Sequence, residues 1–513
     1  MSQKKPVQDW VDDLLGRKEY HRYLEKEKRK SRMGAQLLAI LNTFCALFYL
    51  GWCLVHANWD LWYIFIPFFL TELAFFILYI LWAHLLWNKR YHVPTGIDRA
   101  VDLSVDIFIP CCGEPLDILE PTILAAQNIT YPKKTVHVID DCNQESVREM
   151  AARLGVNYLS RPTHENRKAG NLNYALAHTD GDLILALDAD QVSKPELIDR
   201  IIGYFHFPHI AFVQTAQSFK LPESDPWGNS DHVFYKVMQP GKDHDNAAIS
   251  CGSGVMYRRK ALDEIGGFST WNLVEDLHTS MNLHDRQWKS VFHPVAYTKG
   301  TAPADPAGNL KQRWQWATDS LRMFFWDNPF LRKGLNIYQK LQYVHFGYNY
   351  IVFGLFMPIF FIIPIWALFT HQFMLDAHLS AYVIARLPYF CVYIITNQLL
   401  TDRTHSFKSF QVQAGLFAAY FNATFTALMA RRTLPHYTVT SKKALQGDFL
   451  SRLYCCSPHL LFSIVAIAAI IYGVMTIKQD YWFLAVNVFW AGWVVVVLSR
   501  FIALSLFPRL SIK

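Results

Sequence analysis

Leu183-Ile184-Leu185-Ala186-Leu187-Asp188-Ala189-Asp190 is an unbroken apolar run that ends in two carboxylates one residue apart. Apolar side chains on both faces of so short a run read as a buried strand of the parallel type. Its carboxylates then project together at a sheet edge. Upstream, Ser104 to Pro110 and Val136 to Ile139 are two more strand-like runs, and Glu120 to Asn128 between them reads as a crossover helix. Strand, helix, strand predicts an α/β sheet, whose ligands sit outside the carboxyl ends of its strands. Asp140-Asp141, Asp188 with Asp190, and Glu275-Asp276 fall at or near such ends.

This water-demanding segment, from about Lys89 to Trp326, lies between stretches suited to a bilayer. With 513 residues, 52% hydrophobic content and mean hydropathy +0.10, the chain is too apolar for one soluble domain and too charged for a pure membrane bundle. Ala35 to His56 and Trp62 to Trp87 are each long enough to cross about 30 Å of hydrocarbon as helices. Four more follow: Tyr348 to Phe369, His378 to Leu400, Pro458 to Ile477 and Tyr481 to Leu504. Phe410 to Met429 is interrupted by Gln411, Gln413 and Asn422 and reads as interfacial. The expected order is a basic arm (1–33), two spans (34–88), a cytosolic enzyme segment (89–330), an interfacial helix (331–347), two spans (348–400), an interfacial helix and loop (401–453), two spans (454–505) and a short tail (506–513).

Charge supplies the orientation. Lys26, Lys28, Arg29, Lys30 and Arg32 precede the first span, and Lys89, Arg90, Arg332 and Lys333 flank the enzyme segment. The opposite connections, His56 to Asp60 and His371 to Ala377, carry no Lys or Arg. The positive-inside rule therefore places both termini and the enzyme segment in the cytoplasm of a multi-pass plasma (inner) membrane protein. Membrane orientation accounts for the net charge of +7, so no nucleic acid partner is implied. Nine cysteines include the pairs Cys111-Cys112 and Cys455-Cys456 but no Cys-x-x-Cys, so reduced thiols are expected rather than a zinc site or disulfide framework. A removable signal peptide is not expected behind so long a charged arm.

An Asp-x-Asp pair alone is weak, since average composition yields about one by chance in a chain this long. After a fully apolar strand, however, Asp188 and Asp190 offer hard oxygen ligands for Mg²⁺ or Mn²⁺ against a diphosphate. Asp140-Asp141 reads equally as a nucleotide contact or a helix-capping turn. Lys168-Ala169-Gly170-Asn171 sets a cation beside a glycine. Glu275-Asp276 follows an apolar lead, where a general base for an acceptor hydroxyl would sit; a helix-start acid is the plainer alternative.

Taken in chain order, Asp140-Asp141, Lys168-Ala169-Gly170-Asn171, Asp188-Ala189-Asp190, Glu275-Asp276 and Gln312-Arg313-Trp314-Gln315-Trp316 resemble the processive family 2 glycosyltransferases. The similarity is greatest to cellulose synthase and related β-glucan synthases. Ser250-Cys251-Gly252-Ser253-Gly254 resembles the family's Cys-Gly-Ser loop near the acceptor, and Val213-Gln214-Thr215-Ala216-Gln217-Ser218-Phe219 its Gln-Thr-x-Gln-x-Phe segment. Tyr437-Thr438-Val439-Thr440-Ser441-Lys442 resembles its gating loop, which can close over a bound nucleotide.

The resemblance implies a GT-A-like (Rossmann-like) catalytic domain inserted in a helical bundle of about six spans with interfacial helices. It further implies inverting transfer from a UDP-sugar, UDP-glucose above all, to a growing polysaccharide. Nucleotide-sugar contacts fall to Asp140, Asp141, Lys168, Asp188, Gln312, Arg313, Thr440 and Lys442. Asp188 and Asp190 hold the metal, Asp276 with Glu275 is catalytic, and Trp316, Cys251 and Gly252 meet the acceptor. The bilayer is a partner, and a homo-oligomer is compatible. A synthase using UDP-N-acetylglucosamine or a lipid-carrier transferase is the alternative. Gln315 replaces the arginine of the family's Gln-x-x-Arg-Trp signature and can supply neither its charge nor its bidentate fork, so Arg313 or Lys442 is expected to compensate. Val274 and Tyr437 replace the usual Thr and Phe. Asn349, Asn397 and Gln398, polar groups within spans, line a channel or bond between helices.

Overall fold

The computed structural model describes residues 32–90, 102–221, 225, 227–272, 275–303, 306–404, 406–431 and 449–507. Two helices come first, α1 (Arg32–Val55) and α2 (Trp62–Trp87). The α/β part then runs β1 (Val105–Cys111), α3 (Leu116–Gln127), β2 (Lys134–Asp140), α4 (Glu145–Leu154), β3 (Asn157–Ser160), α5 (Arg167–Ala177), β4 (Leu183–Ala186), β5 (Val192–Ser193), β6 (Ile210–Lys220), β7 (Val255–Arg258), α6 (Glu275–Asp285), β8 (Lys289–Thr301) and α7 (Pro306–Trp326). Four helical stretches complete the chain after α8 (Ile337–Thr370): α9 (Leu379–Leu400), then α10 (Phe407–Gly415) with α11 (Phe417–Met429), then α12 (Phe449–Thr476) and α13 (Tyr481–Leu506).

The eight strands form one mixed sheet in the order β3-β2-β1-β4-β7-β6-β8-β5. β1 pairs in parallel with both β2 and β4, so chain order reverses beside β1, the switch point at which α/β sheets open a crevice for ligands. β4 is buried along its whole length, as its sequence requires: Leu183 and Leu185 face one core with Ile107, Ile109, Ile123 and Ile198, while Ile184 and Ala186 face another with Leu172, Phe212 and Tyr257. Each buried leucine, isoleucine or phenylalanine among them contributes about 1.5–3 kcal/mol. β7 then joins antiparallel to β4, and β6 antiparallel to β7, which carries the sheet beyond the parallel half and turns the loop before β7 toward the crevice.

Among the described residues, six helices are long and apolar enough to cross a membrane: Arg32–Val55, Trp59–Trp87, Ile337–Thr370, Ser380–Leu400, Phe449–Thr476 and Tyr481–Leu506. The stretch read from sequence as interfacial, 410–429, is split at Leu416 into two helices of 9 and 13 residues, each shorter than a span. Where the sequence suggested an interfacial helix up to 347 and a separate span from 348, one helix runs from Ile337 to Thr370. A π-turn over Val352–Phe356 widens it. Gly354 lies in that turn, where a Cβ would stand 2.8 Å from the backbone of Tyr420, so a side chain here would force α11 away.

The expectation of nine reduced thiols is corrected in one place. Cys112 and Cys142 form a disulfide, with Cα atoms 5.0 Å apart. They are 30 residues apart in sequence, but β1 and β2 pair Cys111 with Asp140, so both cysteines leave neighbouring strand ends together. Spacing along the chain gave no hint of this.

Candidate active site

A continuous cavity of about 1250 Å³ begins at the carboxyl ends of β1, β2 and β4 and extends among the membrane-type helices. Asp141, Lys168, Asp188, Asp190, Cys251, Gly252, Glu275, Asp276, Gln312, Arg313 and Trp316 all border it. Asp140 does not. Its carboxylate is wholly buried and accepts hydrogen bonds from the amides of Cys142 and Gln144 and from the Tyr158 hydroxyl, at 2.9, 2.6 and 3.0 Å. The two adjacent aspartates thus divide the alternatives left open by the sequence: Asp140 shapes the turn, and Asp141 faces the crevice. Arg161 Nε donates to Asp141 at 2.5 Å and Nη2 to the carbonyl of Arg167 at 3.0 Å, tying the Asp141 loop to the start of α5.

α5 delivers Lys168 to the centre of the site. Its ammonium lies 2.8 Å from Asp188 Oδ1, 3.0 Å from Glu275 Oε1 and 3.1 Å from the carbonyl of Gly252. Burial disfavours its charge, but the Asp188 and Glu275 carboxylates outweigh that and hold the lysine well above its usual range. Glu275 and Asp276 occupy the first turn of α6, where the macrodipole favours acids. Asp276 is shifted the other way from a typical surface carboxylate: burial, then the neighbouring Glu275, push its pKa up, while Lys168 restrains the rise. A carboxyl poised above the usual acid range is a better proton acceptor near neutrality.

The loop before β7 brings Lys168 and Asp276 together. Gly252 has φ +71°, and a Cβ there would lie 2.9 Å from Lys168 Nζ and 3.2 Å from Asp276 Oδ2. Only glycine meets both conditions. β6 braces this loop: Gln214 Oε1 accepts from the Cys251 amide at 2.7 Å, and Gln217 Nε2 donates to the Ser253 carbonyl at 2.7 Å. From the other side, the Ser250 hydroxyl donates to the Asp276 carbonyl at 3.0 Å.

Asp188 and Asp190 sit in the turn after β4. Ser253 Oγ accepts from the Asp188 amide at 2.9 Å, and Asp190 Oδ2 accepts from the Thr301 amide at 3.0 Å. Among the described residues no group of three or more His, Cys, Asp or Glu forms a cation cage. Two carboxylates on a cavity wall nevertheless suit a hard divalent ion that draws its remaining oxygens from a diphosphate and water. The donor set fits such an ion.

On α7, Arg313 pairs with Asp231 at 3.1 Å, and its guanidinium lies 4.8 Å from the ring centroid of Trp316. Gln312 and Gln315 border the cavity on the same helix. Thr440 and Lys442 lie outside the described residues, as does Val274. Asn349, Asn397 and Gln398 all face the cavity, and Asn397 also accepts from Trp82 Nε1 at 2.9 Å, so the two sequence alternatives for it hold together. Sequence reasoning missed Arg161, Asp231 and the ionic pair Glu72 and Arg386 among the spans. The last was legible in principle, because charges inside apolar helices signal a site.

A family model for glycosyl transferase family 2 matches residues 106–266, and one for cellulose synthase matches residues 263–507. The UDP-forming cellulose synthase 1 catalytic subunit of Komagataeibacter xylinus is 30% identical over 87% of this chain and 62% of its own length. The UDP-forming catalytic subunit of Pseudomonas fluorescens is 28% identical over 93% of this chain and 67% of its own. The chain thus spans about three fifths of the first of these relatives. A mannosyltransferase from Pyrobaculum calidifontis, solved with GDP-mannose and Mn²⁺, aligns with 77% of this chain at 15% identity and a TM-score of 0.46. The two family models together run from β1 to the end of α13, so that over this length the chain is similar to family 2 glycosyltransferases and to cellulose synthases.

Proposed function

We propose that the chain is a processive, inverting glycosyltransferase that builds a β-glucan from UDP-glucose and leads the product away through its own helices. One observation carries this reading: Asp276, Lys168 and Trp316 border the same cavity that continues among α2, α8, α9 and α13. A transferase acting on a small soluble acceptor would have no use for that continuation.

In this account Asp141 and the start of α5 receive the nucleotide, and Asp188 with Asp190 faces the diphosphate. A divalent cation, Mg²⁺ or Mn²⁺, held by these two carboxylates would supply positive charge beside the leaving group. Lys168 adds a fixed cation to the same place. Asp276 accepts the proton of the acceptor hydroxyl, and a single base on one face of the donor gives a β-linkage from an α-linked donor. Trp316 offers an apolar face on which the terminal sugar of the acceptor stacks, and Arg313, pinned by Asp231, sets the ring. Thr440 and Lys442 are assigned to closure over the nucleotide by family resemblance. The enzyme segment and both termini are placed on the cytoplasmic side, where UDP-sugars are available.

The reading is tested by supplying the purified full chain with UDP-glucose or UDP-N-acetylglucosamine and either Mg²⁺ or Mn²⁺, then measuring UDP release and product linkage. A β-linked glucan formed from UDP-glucose is expected. Turnover confined to UDP-N-acetylglucosamine, or transfer of one sugar to a lipid, would replace it with the alternatives.

A further inference from the structure

Cys112 and Cys142 are joined at the end of the cavity where β1 and β2 leave the sheet. The two exits already touch through the Asp141 amide, which donates to the Cys111 carbonyl at 2.9 Å. One residue further along each chain stands the disulfide. Asp141, on the cavity wall, is thus held by that backbone bond, by Arg161 Nε at 2.5 Å and by the covalent link at its neighbour. Both cysteines are followed by a left-handed residue, Gly113 at φ +82° and Asn143 at φ +53°. For Asn143 that conformation is uncommon, and the link holds its turn against the β1 exit.

A disulfide that serves folding alone belongs in a small domain with too little core. Here β1 and β2 pair along their whole lengths and pack into a large apolar core, so the sheet needs no staple. The position suits exchange instead. Cys112 is half-buried and borders the cavity beside Glu114, whose Oε2 accepts from the Cys112 amide at 2.5 Å, and Cys142 is exposed. A soluble thiol can therefore reach the bond. The neighbouring Cys111 does not compete, because it is buried, and burial, then Asp140, push its thiol up. On the cytoplasmic side, where reduced thiols abound, a disulfide is as a rule one that opens and closes.

We infer that Cys112 and Cys142 form a reversible exchange site for low-molecular-weight thiols and disulfides, and that the closed link sharpens donor binding at the Asp141 wall. The inference rests on the transferase reading above and adds control of that site by redox state. A thiolate of the reductant attacks the exposed Cys142 sulfur, the disulfide bond breaks, and Cys112 leaves as a thiolate that takes up a proton. A second thiolate then attacks the reductant sulfur of the mixed disulfide and releases Cys142, which is protonated in turn. Two electrons have passed to the protein, two small thiols have become one small disulfide, and their two protons end on the cysteines. Exchange with that small disulfide runs the sequence backward. Opening the link frees the Asn143 turn from the β1 exit, so the donor must order the Asp141 wall as it binds. Lys168 and Asp276 stand on α5 and α6, and the chemical step keeps its rate.

The test uses the purified full chain equilibrated with reduced or oxidised glutathione. Mass spectrometry of the alkylated and digested protein reads the link, and UDP release against UDP-glucose concentration reads kcat and KM separately. The linked peptides of Cys112 and Cys142 should be present in the oxidised protein and lost on reduction. Reduction should raise the donor KM about two- to tenfold, the factor for ordering one side chain anew on binding, with kcat unchanged. Reoxidation should restore the lower KM, and Cys142→Ser should show the raised KM under both conditions. Should that variant fail to fold, the wild-type comparison decides alone. Absence of the linked peptides under oxidised glutathione, or one KM for linked and reduced protein, would overturn the switch and leave the transferase reading standing. Absence of UDP release from both forms would overturn the transferase reading; UDP affinity by calorimetry then decides the switch, equal values for the two forms overturning it.

Discussion

Lys168 Nζ lies 3.0 Å from Glu275 Oε1, so a lysine at the start of α5 reaches across the crevice to the first residue of α6. The contact is unusual for its cost: Glu275 is 2% exposed, and a buried carboxylate needs a partner. It joins the Asp188 wall of the cavity to the side that carries Asp276. Removing the lysine should therefore disturb both. Lys168→Met is expected to lower kcat by about 10²–10³-fold, the range for one preorganised electrostatic contact, with Lys168→Arg retaining part of the activity. UDP release under saturating donor is the measurement.

The pH profile tests the assignment of the base. Asp276 must be ionised to accept a proton, and burial and Glu275 hold its pKa above the usual carboxylate range. Activity should thus fall as pH drops through that raised value. Glu275→Gln removes one of the raising influences and should move the acid limb of kcat to lower pH; Lys168→Met removes a lowering one and should move it to higher pH. A limb that stays put in both variants would assign it to another group.

Gly252→Ala isolates the loop geometry. The φ of +71° is strained for any L side chain, and the added methyl would meet Lys168 and Asp276. The backbone strain costs about 1–3 kcal/mol, too little to unfold a domain of this size. Turnover should nevertheless drop at least tenfold while the thermal midpoint moves by a few degrees.

Arg313 is expected to matter more than Gln315, although Gln315 stands at the signature position. Arg313→Ala removes the partner of Asp231 and the support behind Trp316, leaving a carboxylate whose burial already raises its pKa. Steady-state UDP release should fall more for Arg313→Ala than for Gln315→Ala. Equal tolerance of the two changes would remove Arg313 from the site.

Much of this arrangement was legible in the sequence, and for identifiable reasons. The Leu183 run could only be a doubly buried strand, so the placement of Asp188 and Asp190 at its end followed directly. Six apolar stretches declared themselves by length. The boundary at 348 did not, because Gln339, Gln342 and His345 are buried and polar, which lowered the apparent hydropathy of a helix that continues unbroken. The division of labour between Asp140 and Asp141 was equally hidden. Adjacent residues point to opposite faces, and only the position of Tyr158 and Arg161 in space decides which face is solvent. The Cys112 and Cys142 pair depended on strand register, which no local spacing encodes.

The central claim, that Asp276 drives polymer formation from a UDP-sugar in the cavity, is tested most directly by comparing wild type with Asp276→Asn in one assay. Both proteins receive radiolabelled UDP-glucose and Mg²⁺, and retained polymer is counted after digestion with a β-glucanase as a control. The account predicts labelled, glucanase-sensitive polymer from the wild type and a loss of about 10²–10⁴-fold in the variant, the usual contribution of a general base, with UDP affinity preserved. Polymer accumulating at the wild-type rate in Asp276→Asn would contradict it.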